Sequence, residues 1–418
     1  MLAPDRSLEI SMPWFQRAEL LERWLADFIT DHIRQLRPQY TPPAEFSDST
    51  KLNRQDADID SIELVELASA LYLALDAEDS GALNEYAQQL GNLGGSFADW
   101  AKFAGFAARK TSALWFQTSG STGKRRWVRH ELAHLQAEVR EVAAIAQTGN
   151  QPIQRVVSVM PAHHVYGFLF GVLLPALLGV PALHVRGAAP AMLRALLQPG
   201  DLLIAHPSFW SSAIAADRLG KGTALFPDAL IGFSSGQALP GTLFEVLKQA
   251  GVTRLVELYG ATETAGIGWR DSHSDFALLS RYRWKKATGN ELIDSTSASE
   301  SCVPLPDVIV RHCNDRFSVQ GRIDRVVQIA GQNVHLDAIE ARLSSFPGVA
   351  MARLRRMPAS DPKARLHAFI VCSQRIDSAE LRTFAEAHLQ TAELPQSYTF
   401  GAELPKTAAG KECEWEIG

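Results

Sequence analysis

Residues 118–126 read TSGSTGKRR, an unbroken run of hydroxyl-bearing residues and glycines followed by three cations. Glycines let backbone N–H groups approach an anion closely, while the hydroxyls add donors and the cations supply charge. The stretch is not a Walker A loop, because Thr118 stands where the first glycine would fall and Arg125 replaces the usual Ser/Thr. A flexible surface turn is the alternative to a phosphate-binding loop of another kind.

The sequence around this loop predicts an α/β fold. Short apolar runs alternate with helical stretches from about residue 112 onward, which is typical of a parallel sheet flanked by helices. In such sheets ligands bind beyond the carboxyl ends of the strands. The segments that follow the apolar runs are TSGSTG, PAHHVYG, HPSFW, SSGQ and YGATE. Polar and glycine-rich residues therefore cluster where this fold would place a site.

The pattern of apolar residues is different at both ends of the chain. Residues 10–108 show helical periodicity, and Asp60 with Glu63 three residues later forms a capping-box pattern. In residues 322–418 strand-like and helical segments alternate again, and they suffice for a small α+β domain. We therefore expect domains at 1–110, 111–320 and 321–418.

Composition narrows the class of protein. The chain has 418 residues, 46% hydrophobic and 21% charged, with a net charge of -5 and no basic patch for nucleic acid. The apolar stretch 167–185 has the length of a membrane span, but prolines and glycine interrupt it, so we expect a buried helix and strand. The cysteines show no metal-ligand or disulfide spacing, and no signal peptide is evident. A cytoplasmic protein without a membrane span is expected.

The loop resembles the phosphate-loop signature of the adenylate-forming superfamily, which holds acyl-CoA synthetases, peptide-synthetase adenylation domains and luciferases. Further signatures follow in the family's order: residues 259–263 (YGATE) resemble YGxTE, and residues 405–411 (PKTAAGK) resemble PKTxxGK. The resemblance implies a parallel-sheet adenylating core and a small mobile C-terminal domain. It also implies ATP and Mg²⁺ as cofactors.

The resemblance assigns roles residue by residue. Tyr259 would stack on adenine, Thr262 would contact the α-phosphate, and Glu263 would hold Mg²⁺. It assigns nucleotide binding to Thr118, Ser119, Gly120, Ser121, Thr122, Gly123, Arg126, Ser235, Gly236, Gln237, Tyr259, Asp307 and Arg322. Lys411 would be the catalytic lysine, acting with Thr262 and Glu263.

The assigned set suits the reaction, because the attack of a carboxylate on the α-phosphorus of ATP brings two anions together. Asp324 would be the hinge that lets the C-terminal domain move. Two positions depart from the family pattern: Arg126 replaces the phosphate-loop lysine, and Gln328 replaces a lysine of the hinge motif. Arg126 would keep the cation that binds phosphate, whereas Gln328 leaves the details of the thiol half-reaction open.

The acid pocket is assigned to His164, Tyr166 and Gly260. His164 belongs to PAHHVYG (161–167), which resembles the family's P-x-x-H-x-x-G segment beside the bound acid. A histidine at a strand end can also be an ordinary satisfied polar residue, and that alternative stays open.

The N-terminal region resembles an acyl carrier protein rather than the family's usual longer α/β segment. Asp60-Ser61-Ile62 is similar to the carrier segment whose serine holds phosphopantetheine, so Ser61 is a candidate attachment site. The structural alternative is a helix capped by Asp60. The compact layout resembles AMP-ligases of aryl-polyene and xanthomonadin-type pigment pathways.

The predicted function is ATP-dependent activation of a carboxylic acid, with an aryl acid such as a hydroxybenzoate as the expected substrate. The acyl group would then pass to the phosphopantetheine thiol of an acyl carrier protein or of CoA. A fatty acid–thiol ligase and a non-catalytic, carrier-binding member of the superfamily are the alternatives.

Overall fold

The computed structural model describes residues 12–77, 95–118, 125–147, 152–185, 190–217, 226–237, 239, 241–272, 274–285, 291–295, 302–312, 315–329, 332–357 and 365–405. The chain divides into two compact units. The first comprises residues 1–282 and 295–299, and the second comprises residues 283–294 and 300–418.

Three helices precede the first strand in the described part of the chain: α1 (Ala18–Leu36), α2 (Ser61–Ala74) and α3 (Phe97–Ala108). The predicted helical periodicity is confirmed, because α1 buries its apolar stripe. Capping boxes begin the other two helices, Asp60 with Glu63 in α2 and Ser96 with Asp99 in α3.

These helices belong to the first unit and share its core. The Trp14 ring packs edge-on against Phe168, with ring centroids 5.1 Å apart. Arg17 donates hydrogen bonds to the carbonyls of Pro175 at 2.7 Å and Val180 at 3.0 Å. The separate domain at 1–110 predicted from the sequence is therefore not seen as a compact unit, because its apolar faces pack on the sheet core instead of on one another alone.

The phosphate-loop segment joins two strands of a hairpin. β1 (Ala113–Gln117) pairs antiparallel with β2 (Trp127–Glu131), so that Gln117 lies opposite Trp127. β2 leads directly into α4 (Leu132–Ala146). TSGSTG follows a strand, as predicted, but that strand lies in an antiparallel hairpin and not in the parallel sheet.

A parallel sheet forms the centre of the first unit, as predicted. Its parallel strands are β3 (Arg155–Ser158), β4 (Ala182–His184), β5 (Asp201–Ala205), β6 (Leu230–Ser234) and β7 (Val252–Ala261), in the order β4-β3-β5-β6-β7. β8 (Ala265–Arg270) and β9 (Phe276–Leu278) extend it antiparallel beyond β7. The helices between them are α5 (Val165–Phe168), α6 (Leu174–Leu178), α7 (Pro190–Leu196), α8 (Pro207–Asp217) and α9 (Gly241–Gln249).

The apolar stretch 167–185 is core, as predicted. It runs through the end of α5, a π-helical turn (Leu169–Leu173) and α6, all buried, and then enters β4, which is half-buried. Gly179 ends α6 with a left-handed φ of 67°. Among the described residues, no helix is both long and apolar enough to span a bilayer.

The second unit contains the small α+β arrangement expected near the C-terminus. Its strands are β10 (Tyr282–Trp284, at the junction), β11 (Glu291–Asp294), β12 (Cys302–Pro304), β13 (Asp307–Arg311), β14 (Arg316–Arg322), β15 (Val326–Ile329), β16 (Gln332–His335), β17 (Val349–Met357), β18 (Arg365–Cys372) and β19 (Ser397–Gly401). Its helices are α10 (Leu336–Ser344) and α11 (Ser378–His388).

The compact units divide after Tyr282, whereas the sequence placed the boundary at 320–321. The predicted boundary at 320–321 falls inside a hairpin, because β13 pairs antiparallel with β14 and Asp307 lies opposite Arg322. A boundary at 320 would cut this hairpin.

Candidate active site

The base of the predicted phosphate loop is closed by two hydrogen bonds between its flanks. Thr118 N–H donates to the Arg126 carbonyl at 2.9 Å, and Arg126 N–H donates to Thr118 Oγ1 at 3.1 Å. The side chains of Arg125 and Arg126 are exposed. The loop residues themselves lie outside the described part of the chain: Ser119, Gly120, Ser121, Thr122 and Gly123.

The YGATE segment ends β7 and turns into β8. The Tyr259 ring lies 5.6 Å from that of Phe276, centroid to centroid. Gly260 is required by close approach, because a Cβ there would lie 2.1 Å from the Ala265 carbonyl oxygen. The side chain of Glu263 is exposed at the turn.

Buried side chains hold this turn from two sides. His130 Nε2 donates to the Thr262 carbonyl at 2.7 Å, and Tyr282 Oη donates to the Thr264 carbonyl, also at 2.7 Å. Burial lowers the pKa of His130, so the ring is neutral and carries its proton on Nε2. Because His130 lies on β2, it connects the hairpin that carries the phosphate loop with the predicted catalytic turn.

A buried carboxyl on α4 also holds the YGATE turn. Glu138 of α4 accepts from the Gly266 N–H at 2.9 Å. Burial raises the pKa of Glu138 to about 7, while that hydrogen bond and Arg281 oppose the shift.

The segment predicted to line the adenine pocket follows β6. Ser235 Oγ donates to the Leu258 carbonyl on neighbouring β7 at 2.8 Å. Gly236 has a left-handed φ of 88°, and the space where a Cβ would stand is open. Gln237 is exposed and accepts from Ser208 Oγ at 3.0 Å. The carboxyl ends of β6 and β7 therefore meet at one edge, as parallel pairing requires.

The predicted acid pocket follows β3 at that edge. His164 is the N-cap residue of α5, and Tyr166 Oη donates to the carbonyl of Ala205 at the end of β5, at 3.1 Å. Burial, helped by neighbouring His163, lowers the pKa of His164 to about 4, so its imidazole is neutral at pH 7. A Cβ at Gly167 would lie 1.9 Å from the Pro161 carbonyl oxygen, which explains the glycine that ends this motif.

The remaining predicted residues belong to the second unit. Asp307 begins β13 and is 9% exposed, and Arg322 ends β14 opposite it. Asp324 lies in a 3₁₀ turn (Ile323–Arg325), which suits the hinge predicted there. Lys411 lies outside the described residues.

Glu263 is the residue that the motif resemblance assigns to Mg²⁺. Among the described residues, no cluster of three or more His, Cys, Asp or Glu side chains could hold a metal. Mg²⁺ is commonly held by one or two carboxylates together with substrate phosphates and waters. The exposed carboxylate of Glu263 fits that mode.

Sequence reasoning missed several supporting residues. His130 and Glu138 hold the YGATE turn, and Asp27 and Asp31 of α1 contact the two loops described above. None belongs to a motif. The only signal was the presence of polar residues at positions that the helix or strand pattern would bury.

Comparison with known proteins agrees with the fold and the motifs. Residues 50–292 match the family described as AMP-binding enzyme, a span that crosses residue 110 and includes Ser61. A 4-coumarate–CoA ligase of Rhodobacter capsulatus is 33% identical over 402 residues, covering 95% of this chain and 100% of that protein. Another 4-coumarate–CoA ligase, of Halorhodospira halophila, is 33% identical over 407 residues and covers 94% and 98%.

A solved structure shares the fold. ATP-bound MatB from Rhodopseudomonas palustris aligns with a TM-score of 0.63 over 94% of this chain and 91% of that chain, at 16% identity. The matched segment exceeds half of the chain, and the two relatives align along nearly its whole length. The chain therefore belongs to the family of AMP-binding enzymes, the adenylate-forming superfamily that its motifs resemble.

Proposed function

We propose that the protein is an AMP-forming acid–thiol ligase that activates a hydroxyaryl acid and transfers the acyl group to CoA. The observation that carries the proposal is the hydrogen bond from His130 to the Thr262 carbonyl. It fixes the YGATE turn, which carries the residue proposed for the α-phosphate, against the β1–β2 hairpin. That hairpin flanks the loop proposed for the leaving phosphates. Two relatives that align over nearly the whole chain are named 4-coumarate–CoA ligases, which favours a hydroxyaryl acid and CoA.

The proposed reaction has two steps. A carboxylate oxygen of the acid attacks the α-phosphorus of ATP, and pyrophosphate leaves. The thiolate of CoA then attacks the acyl carbon, and AMP leaves with the bonding electrons of the acyl–oxygen bond. Thr262 contacts the α-phosphate and Glu263 would hold the metal, while the loop from Thr118 holds the departing phosphates and Arg126 adds positive charge. Mg²⁺, when bound, neutralises phosphate charge.

The proposed acid site has a neutral imidazole beside the carboxylate. His164 stays uncharged above about pH 4. A neutral ring can donate a hydrogen bond without forming a strong ion pair that would weaken the nucleophile. The hydroxyaryl ring would extend toward Tyr166 and Gly260.

The test is pyrophosphate release from ATP and Mg²⁺ across a panel of acids, with hydroxylamine to trap the adenylate. The panel contains 4-coumarate, other cinnamates, hydroxybenzoates and medium- and long-chain fatty acids. Release with hydroxyaryl acids, followed by acyl-CoA formation, is expected. Preference for fatty acids would overturn the substrate class, and transfer only to a phosphopantetheinylated carrier protein would overturn CoA as the acceptor. ATP binding without turnover of any acid would favour the non-catalytic alternative.

The second test concerns Lys411. Lys411→Ala should slow acyl-AMP formation roughly 10²–10³-fold, about 3–4 kcal/mol, as expected for losing one preorganised donor to the transition state. Transfer from supplied acyl-AMP to CoA should be largely spared, because the lysine serves only the first step. Lys102→Ala, at an exposed position on α3, is the control and should match the wild type. Equal losses in both half-reactions would contradict the role proposed for Lys411.

A further inference from the structure

Helix α1 turns two carboxylates toward the predicted active-site loops. Asp27 and Asp31 are one helical turn apart and therefore lie on the same face of α1. Their side chains are 2% and 21% exposed, so both are largely removed from water. Carboxylates are rarely buried without partners, which makes their contacts informative.

Asp31 lies between the two loops that would hold the two substrates. Its Oδ2 accepts from Arg125 Nη1 at 2.7 Å and from Gln35 Nε2 at 2.8 Å. The same oxygen is 3.5 Å from His163 Nε2, which is ion-pair rather than hydrogen-bond distance. Arg125 adjoins the end of the phosphate loop, and His163 precedes the predicted acid-site residue His164.

The electrostatics keep this carboxylate charged. Burial opposes its ionisation, but His163 and Arg125 outweigh that effect and hold the pKa of Asp31 well below its usual range. Both ring nitrogens of His163 are buried, and neither has a hydrogen-bond partner among the described residues. The negative charge of Asp31, 3.5 Å from Nε2, offsets part of the cost of burying those nitrogens.

Asp27 attaches the same acid-site loop at a second point. Its Oδ2 accepts from the Ala162 backbone N–H at 2.8 Å, and its Oδ1 forms an ion pair with Arg23 at 3.1 Å. Two points of attachment on one helix fix both the position and the orientation of the segment that begins at Pro161. Asp27 therefore holds the acid-site loop at Ala162, while Asp31 contacts Arg125 beside the phosphate loop.

We propose that Asp31 is a positioning residue that couples the phosphate loop to the acid-site loop, acting through Arg125 on one side and His163 on the other. The proposal rests on the proposed function, since it concerns the same ATP and acid sites. It assigns an active-site role to a helix that lies outside every motif of the family. A carboxylate that served stability alone would change the melting temperature and leave ligand affinities unaltered.

The test measures equilibrium dissociation constants for ATP–Mg²⁺ and for 4-coumarate on the full-length protein. Asp31→Asn should weaken ATP–Mg²⁺ binding about tenfold, which corresponds to about 1.4 kcal/mol. It should also weaken 4-coumarate binding, because His163 loses its charged neighbour. Asp31→Glu, which restores the charge, should bind both ligands more tightly than Asp31→Asn. In the double variant Asp31→Asn with Arg125→Gln, ATP binding should be no weaker than in Arg125→Gln alone, because Asp31 acts through that arginine.

Asp76→Asn is the matched control. Asp76 accepts from Arg129 at 2.9 Å and its side chain is 23% exposed, so Asp76→Asn loses a comparable ion pair in the same hairpin without touching Arg125 or His163. It should keep wild-type affinities. The proposal fails if Asp31→Asn leaves both affinities unchanged, if the Asp31 and Arg125 effects are additive, or if Asp76→Asn weakens ATP binding equally. Failure of the proposed function would be seen differently, because the wild type itself would not turn over any acid. The ATP affinities of the variants could still be compared in that case.

Discussion

At the scale of single residues, Glu138 connects protonation with the shape of the YGATE turn. Its carboxyl accepts from the Gly266 N–H, and a Cβ at Gly266 would lie 2.3 Å from Glu138 Oε1. Burial raises the pKa of this carboxyl to about 7. The group therefore titrates in the folded protein near neutral pH, well above the range of a carboxyl in an unfolded chain.

This pKa predicts a pH-dependent loss of stability. Below pH 4.5 the carboxyl is protonated in both states, and its contribution is fully present. As pH rises toward 7, the unfolded chain has already lost the proton while the folded protein retains it, so the free energy of unfolding falls, by about 3 kcal/mol in all. Glu138→Gln keeps an acceptor for Gly266 and cannot ionise. Its unfolding free energy relative to wild type should therefore rise between pH 5 and pH 8.

Urea titrations at several pH values measure this difference, with Glu245→Gln, an exposed position on α9, as the control. Parallel pH profiles for wild type and Glu138→Gln would contradict the assignment of a buried, titrating carboxyl.

Motif residues were predictable at this scale, and their supports were not. Gly167 and Gly260 could be placed from the motifs because their family patterns include the glycine that close backbone approach demands. His130 and Asp31 could not, since each matters through a contact more than ninety positions away in sequence. Local pattern carries no information about such pairings.

At the scale of helices and strands, the beginning of α2 bears on two interpretations of residues 60–63. Asp60 Oδ1 accepts from the N–H groups of Ile62 and Glu63, both at 2.9 Å, and Glu63 Oε2 accepts from the Asp60 N–H at 2.9 Å. This is the capped helix that was the structural alternative to a carrier segment. The exposed Ser61 is its first residue, and phosphopantetheine attachment there stays a prediction.

The cap and the attachment make opposite predictions for two neighbouring substitutions. Asp60→Ala removes the cap and should lower the melting temperature of the first unit by roughly 2 °C. Ser61→Ala should leave both melting and acyl-CoA formation unchanged, because the Ser61 hydroxyl makes no described contact that the cap requires. Loss of turnover in Ser61→Ala, or a mass increase after incubation with CoA and a phosphopantetheinyl transferase, would instead establish the carrier role.

At the scale of the whole molecule, the first unit depends on its N-terminal helices. One hydrophobic cluster of this unit runs from Trp14 through Phe168 to Leu279. Removing residues 1–110 would strip many large side chains from that core, and each such loss costs about 3–5 kcal/mol against a total stability of about 5–15 kcal/mol. A chain of residues 111–418 should therefore show no cooperative unfolding of the first unit.

The matched fragment is 283–418, which has a core of its own around Leu343, Leu366 and Leu381. It should unfold cooperatively in urea. A cooperative transition of the first unit in 111–418, with ATP still bound, would restore the separate N-terminal domain that the sequence predicted.

Fold class and element order could be predicted because alternation and turn residues are local signals. The alternation of strands and helices from about residue 112 onward and the small α+β arrangement after residue 322 were found as predicted. The sequence did not predict that helices at the start of the chain share one core with a sheet in its middle. Periodicity shows that a face of α1 is apolar, but not what covers it.

The contact between Trp14 and Phe168 also has a consequence during synthesis on the ribosome. The chain must grow by about 150 residues after Trp14 before the residue that covers it exists, which takes roughly 8–30 s at ~5–20 residues per second. Throughout that interval the apolar faces of the nascent α1 and α2 have no sheet to pack on. The yield of folded protein on expression should therefore depend on chaperone supply and on translation speed, although the apolar faces are covered in the finished fold.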